Sequence, residues 1–197
     1  MVESLSFLSS ETALSNGTGK LQGDIAQGEH VAQFYADDDR LLDTLTEFVG
    51  GGLNAGESVI VVATLEHLRA LRQRMIAANV DLMRALLEDR YIMLDAKVAL
   101  TSFMIGEWPD DRLFAEFAGN LLRRASAHNR PVRVFGEMVA LLWARGHAAA
   151  TVHLEQLWSQ FCESHSLSLF CAYPRAGFTG DSSQFLAEIC AAHSRVI

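Results

Sequence analysis

Between Tyr35 and Leu41 the chain carries Ala36, Asp37, Asp38, Asp39 and Arg40, where an apolar strand pattern gives way to an amphipathic helix pattern. A phosphate-binding turn at such a junction needs backbone N–H groups free to approach the anion, and a cation to neutralise it. Three consecutive carboxylates would repel a triphosphate instead. Other chemistry-bearing residues close later apolar runs: Thr64 with Glu66, then Asp95, Glu137, and Tyr173 with Arg175. Ligands collect at the carboxyl ends of parallel strands. If the runs lie side by side, Tyr35, Asp37, Glu66, Asp95, Glu137 and Tyr173 form a candidate ligand-binding constellation, and His30, at the start of its strand, is a further candidate that equally suits a core or edge position. Simpler roles compete with this one. Asp37 and Asp38 equally suit helix N-caps, and Asp95 suits a turn at a strand end. Glu137 follows an apolar strand directly, so its carboxylate is expected to be partly buried and to need a partner, with Arg133 or His30 as candidates.

Searches for other chemistry give little. There is no G-x-S-x-G elbow and no H-E-x-x-H, and the seven histidines show no metal-ligand spacing. No catalytic residue, metal or cofactor is therefore expected. Gly17 to Lys20 supplies glycine and lysine, but ahead of the first strand rather than after it. Cys162, Cys171 and Cys190 are odd in number, lack C-x-x-C spacing and suit buried thiols in a reducing cytoplasm. Sixteen basic against 24 acidic residues give a formal net charge of -8, which argues against direct nucleic-acid binding. No run approaches the roughly 18 apolar residues of a membrane span.

These residues need a scaffold, and the pattern of the chain describes one. With 197 residues, half of them hydrophobic, the sequence suits a single core. Residues 1–28, rich in Ser, Thr and Gly, read as a mobile tail, and 29–197 as one folded domain. Strands are expected at His30–Tyr35, Ser58–Ala63, Tyr91–Leu94, Val132–Phe135 and Leu167–Tyr173, because these runs are short and almost continuously apolar. Between them lie helical stripes. One carries Leu41, Leu45, Phe48 and Val49 and is expected to stop at Gly50–Gly52; another carries Leu154, Leu157, Trp158 and Phe161. Asp181 to Gln184 reads as a capping box before the last helix. Alternating strands and helices predict an α/β fold: a three-layer, mostly parallel sheet with helices on both faces.

The segment NAGESVIVVATLEHLRALRQRM, with YIMLDA after it, resembles the RecA/KaiC-like ATPase core. With HVAQFYADDDRLLDTLTEFVGGGL before it and PVRVFGEMVALLWARG beyond, the chain more closely resembles the MEDS domain. That domain is the sensory module of methanogen and methylotroph regulators. The resemblance runs from His30 to Tyr173 and rests on the opening strand, the Gly56–Glu57 turn and the Arg133–Glu137 strand end. It implies a RecA-like sheet whose phosphate loop has degenerated and which senses a small molecule without catalysis. In KaiC-like enzymes the strand matching Val132–Phe135 ends in a magnesium-binding acid, near Glu137 here, and Glu66 falls near the catalytic carboxylate. The lysine and hydroxyl that hold phosphate and metal are missing. A stand-alone sensor must signal by contact, to a regulatory protein or histidine kinase, and a homodimer stays open; the stretch Ala144–Trp158 is a candidate contact surface, against the favoured reading that Trp143 and Trp158 are core residues. The alternative is a divergent ATPase of the RecA/KaiC type.

Overall fold

Six strands form one sheet whose inner strands are almost wholly buried and leave no face to show to water. The computed structural model describes residues 25–178 and 183–197. Positions 1–24 of the expected tail, and Asp181 and Ser182 of the expected capping box, lie outside the described residues. The strands are β1 (His30–Tyr35), β2 (Ser58–Ala63), β3 (Tyr91–Asp95), β6 (Val132–Gly136), β7 (Ser168–Pro174) and β8 (Arg195–Val196). Their order is β3-β2-β6-β7-β1-β8, and every neighbouring pair is parallel. All residues of β1, β2 and β6 are buried, as a parallel sheet covered on both faces requires.

The two-residue period of a strand sends alternate side chains into two separate cores. On one face Val31, Val59, Val61, Phe135 and Phe170 pack against α1 (Asp38–Asn54), α2 (Leu65–Ala77) and α3 (Leu82–Leu87). On the other, Ala32, Ile60, Val134, Leu169 and Cys171 meet α4 (Ala96–Thr101), α5 (Asp111–Ala125), α6 (Met138–Ala144), α7 (Ala148–His165) and α8 (Ser183–Ala191). This is the three-layer α/β architecture. An antiparallel hairpin, β4 (Met104–Ile105) with β5 (Trp108–Pro109), stands apart from the sheet.

Four details depart from the sequence reading. Helix α1 runs through Gly50–Gly52 to Asn54. Glycine serves close approach there rather than termination, because a Cβ on Gly52 would lie 2.8 Å from Arg133 Cδ and 3.0 Å from Val59 Cγ2. Ile25 to Gly28, assigned to the tail, pack on β7. Ile25 is buried, Ser168 Oγ donates to the Ile25 and Ala26 carbonyls, and the Gly28 N–H donates to Leu167 O. The short elements α3, α4, β4, β5 and β8 carry too few residues to show a period. Trp158 is a core residue, as its helical stripe predicts, but Trp143 is only half-buried, its Nε1 donating to Gly177 O at 2.7 Å.

Candidate functional site

The carboxyl edge of the sheet gathers a polar group around Glu137, the residue that follows β6. Its backbone N–H donates to Val62 O at 2.9 Å, which ties it to the end of β2. Its side chain, 6 % exposed, accepts from the Thr64 N–H at 2.8 Å. The other oxygen lies 2.9 Å from His67 Nδ1, an ion-pair contact made off-axis, so that Nδ1 has no aligned hydrogen bond. His67 Nε2 lies 3.6 Å from Asp38 Oδ1, and Asp38 is largely open to solvent. Contact with Glu137 raises the His67 pKa above its ordinary value against the opposing effect of burial, and Asp38 adds to the rise. Tyr35 is buried beside them, and burial, then Glu137, then Asp38 raise its phenol pKa. Asp38, His67 and Glu137 thus form a line of titratable groups from solvent to the sheet end, flanked by Tyr35.

The local chain explains these positions. Thr64 caps α2 by accepting from the His67 N–H, which starts the helix at Leu65 and turns His67 inward. Glu66, one residue earlier, points to solvent. Asp37 caps α1 by accepting from the Arg40 N–H at 2.9 Å, and Asp95 caps α4 by accepting from the Val98 N–H at 2.9 Å. Both carboxylates satisfy helix ends. Neither candidate partner meets Glu137. Arg133 pairs with Glu57 and lies over Phe48, and His30 belongs to a different group. Arg175 donates from Nε to Phe34 O at 2.8 Å.

His30 and Tyr173 come together on the other face of the sheet, around Glu155 of α7. Glu155 is wholly buried. His30 Nε2 lies 3.3 Å from Oε2 and His193 Nε2 3.4 Å from Oε1; Cys171 Sγ donates to Oε2 at 3.6 Å, and the Tyr173 hydroxyl donates to Oε1. Burial works to raise the Glu155 pKa, but His193, His30 and Tyr173 outweigh it and hold the carboxyl at about 2. Burial pushes His193 down and the Cys171 thiol and Tyr173 phenol up. The donor atoms of His30, Glu155, Cys171 and His193 all lie within 4.8 Å of one another. Of the seven expected site residues, then, Tyr35 and Glu137 meet at the edge, His30 and Tyr173 meet inside, Asp37 and Asp95 cap helices, and Glu66 is exposed.

The family model described as MEthanogen/methylotroph, DcmR Sensory domain matches residues 29–194. The chain belongs to the MEDS family. No curated protein matches it. Among solved structures the MEDS chain is similar to a KaiC-like protein from the hyperthermophilic archaeon Pyrococcus horikoshii OT3. The identity is 14%, the TM-score is 0.59, and the match covers 86% of this chain and 71% of that one. At that identity the likeness is one of fold, and the expected RecA-like three-layer architecture is the architecture of this MEDS chain. Among the described residues no helix is long and apolar enough to cross a membrane. Two surface cavities, of about 530 Å³ between α1 and α2 and about 370 Å³ beside β3, are lined by neither Tyr35, His67 nor Glu137.

Sequence reasoning missed His67, Glu155 and His193. A signal for His67 was present, because a Thr64 cap places the third helical residue over the sheet. Glu155 had one too. It occupies the same stripe of α7 as Thr151, Leu154, Trp158 and Cys162, all buried.

Proposed function

We propose that this sensory domain is non-catalytic, works in the cytoplasm and binds a small ligand at the carboxyl edge of its sheet. It passes the signal by contact to a transcription regulator or a histidine kinase. The sensory role follows from the family; the observation that carries the rest is the occupied N-terminus of α1. An N-terminus that held phosphate would present free N–H groups and a favourable dipole. Here the Arg40 N–H is already taken by Asp37, and Asp38 and Asp39 fill the first turn. The nearby group that remains open to solvent is Asp38, and behind it lie the buried His67 and Glu137. Their carboxylates favour a small ligand that brings a hydrogen-bond donor or a positive charge.

The KaiC-like fold supports a second reading, a divergent ATPase, and one titration separates the two. A fluorescent ATP analogue with magnesium is expected to give no saturable binding at physiological concentration. Micromolar binding that disappears in Asp37→Ala or Asp38→Ala would reverse the assignment. For the ligand, thermal shifts are measured across a panel of small amines, alcohols and organic cations. A compound that stabilises the wild type but not Glu137→Gln supports the edge site, and equal shifts in both proteins exclude it.

A further inference from the structure

The Glu155 group lies inside the protein, beyond the reach of the edge site. We propose that His30, Glu155, Cys171 and His193 bind one divalent transition-metal ion of the zinc type, in a closed site that joins β1, β7 and α7 to the segment after α8.

Spacing carries the proposal first. His30 Nε2 stands 3.3 Å from Glu155 Oε2 and 3.4 Å from Cys171 Sγ, Cys171 Sγ stands 3.6 Å from Oε2, and His193 Nε2 stands 3.4 Å from Oε1. With zinc bonds of about 2.0–2.1 Å to nitrogen and oxygen and about 2.3 Å to sulfur, tetrahedral ligands stand about 3.3–3.6 Å apart. These contacts hold that spacing, and all four donor atoms lie within 4.8 Å of one another, so that a small side-chain adjustment gathers them on one ion. A mixed imidazole, thiolate and carboxylate set is also the donor chemistry zinc takes.

Protonation points the same way. His193 Nδ1 lies 2.6 Å from Ile189 O, a carbonyl that can only accept, so Nδ1 carries a proton. The other ring nitrogen, Nε2, and a Glu155 carboxylate oxygen, each with a lone pair to give, face one another at 3.4 Å. Nε2 is buried and has no hydrogen-bond partner. The His30 ring stands beside that of His193, the two centroids 3.9 Å apart. A cation among the four donors satisfies both lone pairs. On binding, Cys171 releases its thiol proton to solvent, and thiolate and carboxylate together neutralise the double charge of the ion, which suits a dry interior. Outer contacts exist as well: Tyr173 donates to Glu155 and His193 Nδ1 to Ile189 O, the kind of support that orients metal ligands.

The test uses the full chain with Cys162 and Cys190 changed to Ser, so that Cys171 is the one remaining thiol. Loaded with cobalt(II) and desalted, this protein is expected to retain about one equivalent, with tetrahedral ligand-field bands and a thiolate charge-transfer band. Zinc is expected to displace the cobalt. Tyr173→Phe keeps the ligands and is expected to weaken the metal about 10–100-fold in chelator competition. His193→Gln, with its fold checked by circular dichroism, is expected to retain less than about a tenth of an equivalent. Failure of the double-Ser protein to hold cobalt, or cobalt bound without a charge-transfer band, overturns the proposal. So does unchanged affinity in Tyr173→Phe, which would assign the metal to surface histidines. No outcome depends on the edge site.

Discussion

Replacing Glu137 separates its charge from its shape, and the structure sets the size of each effect. In Glu137→Ala the Thr64 N–H loses its 2.8 Å acceptor and His67 loses its 2.9 Å partner, both in an enclosed place. The aligned hydrogen bond to the carboxylate is worth about 1.5–3 kcal/mol and the off-axis ion pair adds up to about 1 kcal/mol, which gives an expected loss of about 2–4 kcal/mol. Glu137→Gln keeps a carbonyl for Thr64 and can donate from its amide to neutral His67. Only charge assistance goes, so the expected loss is about 1–1.5 kcal/mol. The two variants also differ in pH dependence. The folded pKa of His67 is raised, chiefly by Glu137, above its ordinary 6.5. A raised folded pKa contributes stability that is complete below the unfolded value and is lost as pH rises through the folded one. Wild-type stability therefore falls from about pH 6.5 upward, relative to Glu137→Gln, whose profile flattens. Urea unfolding between about pH 5.5 and 8.5 reads both quantities. Identical pH slopes in wild type and Glu137→Gln, or a loss under about 1 kcal/mol in Glu137→Ala, would refute the coupling of these residues.

The glycines of α1 are expected to respond in opposite directions. Gly52→Ala forces its Cβ against Arg133 Cδ and Val59 Cγ2, in the middle of a side chain held by Glu57, and is expected to destabilise by about 1–3 kcal/mol in spite of its better helix propensity. Gly51→Ala, exposed and 3.9 Å from Arg133 Nη1, is expected to stabilise by about 0.5–1 kcal/mol, and chemical denaturation of the pair tests the packing argument. Asp95→Ala removes the cap on Val98 and is expected to cost about 1 kcal/mol in urea, leaving the thermal shift from any edge-site compound intact; loss of that shift would return Asp95 to the binding site.

Much of the scaffold is written locally. Continuous apolar runs such as Ser58–Ala63 announce a strand buried on both faces, and Asp37, Thr64, Asp95 and Asp110 announce helix starts because their short side chains reach the free N–H groups. The acidic turn after β1 was equally plain, since the charge of three aspartates needs no tertiary information. Gly50–Gly52 misled because glycine ends helices and also admits a neighbouring chain, and only the position of Arg133 distinguishes the two. Glu66 and His67 are adjacent in sequence, yet a helix rotates about 100° per residue, so the exact start of α2 decides which one meets Glu137. Tyr173 looked like an edge residue because it closes a strand that ends there, whereas His30 opens its strand. Their register against each other, with Val31 opposite Phe170 and Phe34 opposite Tyr173, turns both toward α7 instead. Glu155 joins them from α7 and His193 from the segment after α8, neither with a periodic link to either strand. That convergence is a property of sheet order and helix docking, which bring together residues far apart in the chain, and no local pattern of side chains encodes it.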